Sequence, residues 1–412
     1  MPVTIITNIK ALINTREAPQ MLMGKDMSIL PSIENAYLLI EDGVISSYGS
    51  MEELPASFST IHYKIDAINQ FVLPGWCDSH SHLVFAGSRE DEFVDKVKGL
   101  GYAEIAARGG GILNSAAKLQ NTSEDELFNL AWARLAEVAR FGTCAIEIKS
   151  GYGLTVESEL KMLRVIKRLK QKSSLTIRST FLAHAYPLQY QRDHEGYINL
   201  IINELLPIIA KDKLADFVDV FCEKGFFSPS EMEQVCAAGA AIGLKPKIHT
   251  NQLNSIGGIQ AGIYLKAISM DHLETLTTAD LTLLSSWKGI CTVLPGAAYF
   301  LGLTNNNARQ LIDQENAVAI ASDFNPGSCP SGNMNLVIAQ SCIQMKLLPE
   351  EAINAATLNG AYAMQVQSEA GSITIGKKAN LIFTKAIPSI AYLPYYYGQN
   401  LIEKVMVNGN FI

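Results

Sequence analysis

The strongest constraint on the fold is an alternation. Between residues 71 and 323, short apolar runs of strand character alternate with stretches of helical periodicity. The runs fall at 71–76, 143–149, 175–183, 216–222, 245–249, 267–271, 290–294 and 317–323. Parallel strands need helical crossovers and are buried on both faces, so this pattern predicts a parallel sheet. Eight such units predict a closed α/β architecture, a (β/α)₈ barrel of the TIM type. The helical stretches carry start and stop signals. Thr155 stands where it would cap a helix on which Leu160, Leu163, Ile166 and Leu169 recur. Ser228-Pro229-Ser230-Glu231 combines a capping box with proline at the first helical position. The helix it opens carries Met232, Val235 and Cys236 on one face. Gly239 on that face allows close packing, and Gly243 ends the helix.

The two ends of the chain read differently. Residues 36–49, AYLLIEDGVISSYG, place Asp-Gly between two apolar runs, a hairpin signal. GSITIGKKANLIF and KVMVNGNFI, near the C-terminus, have strand character with Gly and Asn-Gly turns. The expected organisation is a barrel over residues 71–370 and a small β-sandwich domain assembled from 1–70 and 371–412.

Composition narrows the function classes. Apolar residues at 48% and charged residues at 18% allow a large core and argue against disorder. A net charge of −7 without a basic run offers no surface for nucleic acid or an anionic membrane, which leaves a small molecule as the expected partner. No secretory pattern opens the sequence, and no run of about 18 apolar residues occurs. The seven cysteines are scattered and form no C-x-x-C pair, so they read as reduced core thiols of a cytoplasmic protein.

Barrels of this kind place reactive groups at the C-terminal ends of their strands. Five of the seven histidines stand there: His80 and His82 after the first run, His184 after the third, His249 after the fifth and His272 after the sixth. Asp323 follows the eighth. His62 and His194 stand elsewhere and read as structural or surface residues. In His80-Ser81-His82 the imidazoles are two residues apart in extended chain, so they share a side and can hold one ion. With His249 and Asp323 they make a nitrogen and oxygen set suited to one divalent ion per chain, Zn²⁺ or Fe²⁺. Such an ion acidifies water and polarises a carbonyl. His272 is the candidate general base, since an ordinary imidazole titrates near neutrality. Spacing leaves open that His272 is itself a ligand, and Asp323 is also placed to orient water. Arg89 is suited to grip a substrate carboxylate, the alternative being an exposed ion pair with Glu90 or Asp91. Tyr152 can offer a phenol. The turn Asp323-Phe324-Asn325-Pro326-Gly327-Ser328 can offer an amide and backbone N–H groups to an anion. Lys149 reads as a hydrogen-bonding lysine rather than a carboxylated metal bridge.

PGWCDSHSHLVFAGSREDEF, EIKSGYGL, DVFCEKGFFS, DHLE, VLPGAAYFL and DFNPGS occur in this order, with GSITIGKKANL at the return to the small domain. Over nearly the whole chain these blocks resemble the metal-dependent amidohydrolase superfamily. EIKSGYGL and DFNPGS are the most specific, and are similar to the branch that opens an imidazolone ring in histidine degradation. The resemblance implies hydrolysis of the cyclic amide C–N bond of 4-imidazolone-5-propanoate to N-formimidoyl-L-glutamate. It implies His80, His82, His249 and Asp323 as metal ligands. It gives substrate or product contacts to Arg89, Tyr152, His184, Gln252, Asn325, Gly327 and Ser328, and it favours a homodimer. Departures from the family pattern are Ser79 and Ser81 for proline and threonine, a stretch before His184 one residue shorter, and Thr250-Asn251 for Ala-Asp. The alternative within the superfamily is a deaminase of a purine, cytosine or triazine ring. Such enzymes commonly carry H-x-x-E, whereas this chain has His249-Thr250-Asn251-Gln252, and an amide cannot transfer a proton at neutral pH.

Overall fold

The computed structural model describes residues 3–54, 63–100, 104, 110–303 and 307–412. His62 lies outside the described residues. Eight strands pair in sequence order, each parallel to the next: Trp76–Asp78, Thr143–Lys149, Thr176–Ala183, Phe217–Cys222, Lys245–Thr250, Ser269–His272, Ile290–Val293 and Ala317–Ile320. They are buried almost throughout, as a sheet wrapped by helices requires. Among the described residues no ladder joins the eighth strand to the first, and an isolated parallel bridge pairs Ser81 with Phe324. The two meet just beyond their ends instead. Ser322 donates to Asp78 from its backbone N (3.0 Å) and its Oγ (2.6 Å), Asp323 N donates to His80 O (2.9 Å), and His82 N donates to Phe324 O (2.9 Å). These bonds close the barrel, and they do so at the residues expected to carry chemistry.

The run expected as one strand over 71–76 is two. Phe71–Pro74 pairs with Val3–Ile13 and Leu381–Thr384 outside the barrel, and only Trp76–Asp78 enters it. Gly75 is the break. A Cβ there would meet Cys144 Sγ at 2.1 Å, so only glycine lets the chain cross the second barrel strand at this point.

The remaining strands from both termini form one sheet ordered Asn410–Phe411, Ile402–Val407, Leu381–Thr384, Phe71–Pro74, Val3–Ile13, Ser32–Glu41 and Val44–Ser50. A bulge between Ile6 and Ile9 divides the long strand Val3–Ile13. Its first half pairs with Tyr63–Asp66 and its second with Phe71–Val72. This sheet has its own core of Ile6, Ile9, Leu38, Ile40, Leu381 and Phe383, among others. The Asp42-Gly43 hairpin turn forms with φ of 51° and 77°, the doubly positive pair that an Asp-Gly turn supplies.

Helix signals behave as read. Thr155 Oγ1 accepts from Ser158 N, and Ser228 and Glu231 make a reciprocal capping box on Pro229–Ala241. Gly239 packs so closely that a Cβ would meet Val218 at 2.7 Å, and Gly243 leaves the helix at φ 93°. Among the described residues no helix is long and apolar enough to cross a membrane, and the seven cysteines are free thiols.

Candidate active site

The His80-Ser81-His82 segment is held between its neighbours by its middle residue. Ser81 Oγ donates to Glu147 O (2.6 Å), and Ser81 O accepts from Lys149 N (2.9 Å). With Ser81 pinned to the second strand, the alternation of extended chain turns both imidazoles into the barrel mouth. There His80 Nε2 lies 3.3 Å from His82 Nε2, and these atoms lie 3.6 and 3.4 Å from Asp323 Oδ1. The His249 ring centroid is 4.3 Å from that of His80, and the His272 centroid is 5.3 Å from that of His249. Two overlapping sets offer ligand atoms within 4.8 Å of one another: His80, His82 and Asp323, and His80, His249 and His272.

The residues present fit a cation. His80 Nδ1 faces Asp271 Oδ2 (2.7 Å) and His249 Nδ1 faces Asp219 Oδ2 (2.8 Å). A carboxylate only accepts, so each Nδ1 carries the proton and each Nε2 presents a lone pair. His249 Nε2 is buried with no hydrogen-bond partner. Donors around one tetrahedral ion at bond lengths of about 2.1 Å stand about 3.4 Å apart, close to the spacing seen here. Burial, reinforced by neighbouring imidazoles and Lys149, holds His80, His82 and His249 well below the usual histidine range, so they are neutral, as ligation requires.

Asp323 and His272 are the titrating pair. Burial lifts the Asp323 carboxyl to about 7, against the pull of His272 and of Ser328 and Asn325. Burial pushes His272 down, but Glu274, whose Oε1 lies 3.2 Å from Nδ1, outweighs it and raises the imidazole to about 9. This favours the charged imidazole, whereas an ordinary histidine is largely neutral at pH 7. The chain leaves its strands under strain at both residues: φ is 85° at His272 and 50° at Asp323.

Arg89 turns inward. Its Nε donates to Ser115 Oγ (2.8 Å) and lies 3.8 Å from Glu92, not Glu90 or Asp91, and its guanidinium stands 5.9 Å from the Tyr152 ring centroid. A Cβ on Gly327 would meet Arg89 Nη1 at 2.5 Å, so glycine there gives the guanidinium room beside the 323–328 turn. Lys96 donates to Gly327 O (3.0 Å) from the same side. His184, despite the shortened stretch before it, stacks on His82 at 5.7 Å and stands 5.5 Å from Tyr152. Its Nδ1 has no partner, and burial, with the charge of Arg89, lowers it to about 3. Gln252 is half-buried two residues beyond the fifth strand.

The turn differs from expectation. Asn325 Oδ1 accepts from Gly327 N and Ser328 N (both 2.8 Å), and its Nδ2 donates to Asp323 O and Ser328 Oγ. The N–H groups expected to face an anion are thus taken up inside the turn, because an asparagine at its start can mimic a backbone turn. Ser328 Oγ in turn donates to Asp323 Oδ2 (3.2 Å). His194 is peripheral: it bonds Glu231 and stacks on Tyr186.

Of the layer beneath, sequence reasoning singled out only Lys149, as a hydrogen-bonding lysine, and passed over its partners. Lys149 Nζ bonds Glu147 Oε1 and Asp219 Oδ2 (both 2.7 Å) and lies 3.5 Å from Asp271 Oδ2. Lys247 Nζ bonds Ser79 O (3.0 Å) and Glu147 Oε2. All five side chains are fully buried. Burial opposes the charge on Lys149, but Asp219, Glu147 and Asp271 outweigh it and hold the amine above the usual lysine range, which favours its charged form. Glu223 was missed too; it accepts from Leu253 N and Asn254 N and fixes the loop that carries Gln252.

Comparison with known proteins bears on the chain as a whole. The model of the amidohydrolase family matches residues 223–412. The chain is 53% identical to the imidazolonepropionase of Flavobacterium johnsoniae over 100% of both chains, and 51% identical to that of Christiangramia forsetii over 99% of each. With the imidazolonepropionase of Clostridium tetani it shares 42% identity over 94% of this chain and 93% of that one. Among solved structures, a triazine hydrolase variant and the guanine deaminase of E. coli share the fold, each with a TM-score of 0.73, at 13% and 15% identity. The triazine hydrolase match covers 100% of this chain and 94% of the other, the guanine deaminase match 100% and 99%. By its full-length likeness to these relatives, the chain belongs to the imidazolonepropionase family of the amidohydrolases.

Proposed function

We propose that the chain hydrolyses the ring amide of 4-imidazolone-5-propanoate to N-formimidoyl-L-glutamate. The observation that carries this reading is 53% identity over the full length to an imidazolonepropionase. The site supports it. One divalent ion, Zn²⁺ or Fe²⁺, would be held by His80, His82, His249 and Asp323, and when bound it supplies an acidified water and a polarised carbonyl. Arg89 binds the propanoate carboxylate, and Tyr152, His184 and Gln252 hydrogen-bond the ring. Asn325, Gly327 and Ser328 shape the wall beside Arg89 at the carboxylate end. Asp323 takes a proton from the attacking water. The ring C–N bond then breaks. The departing nitrogen takes a proton from His272, which Glu274 keeps charged. One water is consumed, one carboxylate forms, and no ammonia leaves. The free thiols support a reducing, cytoplasmic setting, and the family resemblance supports a homodimer.

Loss of the imidazolone absorbance, with ammonia measured in parallel, tests the reading. Metal-dependent loss without ammonia is expected. Release of one ammonia per turnover would favour the deaminase alternative, and no turnover by metal-replete protein would remove the substrate assignment.

A further inference from the structure

Among the described residues no side-chain hydrogen bond joins Lys149 to the four proposed ligands, yet it sits beside the carboxylates that two of them bond. Its ammonium bonds Asp219 and lies beside Asp271, the carboxylates that receive Nδ1–H of His249 and His80. We propose that Lys149 is a positioning residue for the metal: by holding Asp219 and Asp271 against one ammonium, it sets the imidazoles of His249 and His80 with Nε2 aimed at one point. This rests on the metal-site reading above.

The geometry leaves these carboxylates little freedom. Asp219 accepts both from His249 N (3.0 Å, on Oδ1) and from its ring (2.8 Å, on Oδ2), which fixes backbone and imidazole together. Asp271 Oδ1 is held by Ser269 Oγ (2.7 Å), which leaves Oδ2 for His80. Glu147, the third partner of Lys149, is anchored by Thr180 Oγ1 (2.6 Å) and Lys247. Three carboxylates thus face two ammonium groups among fully buried side chains, and two of the carboxylates bond the imidazoles of His249 and His80. Without Lys149, Asp219 and Asp271 repel one another and the bond that orients each ring is lost. Groups behind metal-ligating histidines commonly govern affinity in this way. Here one ammonium serves ligands from two separate strands, the first and the fifth.

The test uses the full chain and its Lys149→Met, Asp219→Asn and Asp271→Asn variants; the asparagines keep side-chain shape. Zn²⁺ affinity is read by competition with a chromogenic chelator, ligand geometry by the visible spectrum of the Co²⁺-loaded protein, and imidazole tautomers by ¹⁵N-histidine NMR of the metal-free protein. Each variant is expected to bind Zn²⁺ about 10- to 100-fold more weakly, with an altered Co²⁺ spectrum. The Nδ1–H tautomer signals of His80 and His249 should weaken while His194 is unmoved. Folded variants whose Zn²⁺ affinity stays within about twofold of the natural chain, with the same Co²⁺ spectrum, would overturn the proposal. Loss of fold in all three would assign the network to stability alone and overturn it equally. Failure of the natural chain to bind Zn²⁺ or Co²⁺ would instead remove the metal-site reading, and this proposal with it.

Discussion

The floor and the mouth of the barrel are built from the same kinds of residue and treat them in opposite ways. On the floor, Glu147, Lys149, Asp219, Lys247 and Asp271 satisfy one another within the protein. At the mouth, His249 Nε2, His82 Nδ1, His184 Nδ1 and Glu274 Oε2 are also buried and have no hydrogen-bond partner among the described residues. Leaving a buried polar atom unpaired costs about 1–3 kcal/mol, so several in one place mark where something else is meant to bind. The floor is what permits this. It fixes the imidazoles of His80 and His249 through Nδ1, which leaves Nε2 of each facing the mouth.

The contrast can be broken from either side. The largest effect belongs to the mouth: removing the ion with a chelator, or substituting His82→Ala, is expected to take ring opening to the assay floor while the circular dichroism of the fold persists. Retained activity would separate the mouth from the chemistry. Next comes the floor. Lys247→Met leaves a Glu147 oxygen buried without its cation and is expected to cost about 3–5 kcal/mol of stability in urea unfolding. A loss below about 1 kcal/mol would mean the floor is not the closed network described. Arg89→Lys, which replaces a planar fork by a point charge, is expected to raise KM about tenfold to 100-fold with a smaller change in kcat. An equal fall in kcat would give Arg89 a part in the transition state instead. The smallest effect is electrostatic. His272 titrates higher in the fold, at about 9, than its ordinary 6.5. Its contribution is therefore complete below pH 6.5 and is lost as pH rises through 9. In the metal-free protein, stability should fall across that window by on the order of 2 kcal/mol more than in His272→Asn. Parallel pH curves for the two proteins would remove Glu274 as the cause.

Much of the mouth was legible because its signals are local. The two-residue spacing of His80 and His82 dictates a shared side, and the run-then-histidine pattern at 249 and 272 locates strand ends. Capping chemistry at Thr155 and Ser228 is likewise local. The rest needed tertiary contacts. Residues 71–76 read as one apolar run; only the packing of Gly75 against Cys144 divides it into the end strand Phe71–Pro74 and the start of Trp76–Asp78. Asn325 looked like a donor to a ligand, but its side chain closes its own turn. The floor left a trace that apolar counting discards: Glu147 and Lys149, Lys247 and His249, and Asp78 and His80 are each two residues apart, the period of one strand face. Which of these charges meet across the barrel follows from strand order, and that is not local. Likewise Glu274, two residues beyond His272, was visible, but its effect on the imidazole depends on burial.

The central claim is that His80, His82, His249 and Asp323 hold one ion at the mouth, and diffraction from crystals of the metal-loaded protein measures this most directly. Anomalous data above and below the zinc and iron edges should show a single peak per chain among His80, His82, His249 and Asp323, and should identify the element. Two peaks, or one peak displaced to His272 with His82 unligated, would contradict the account.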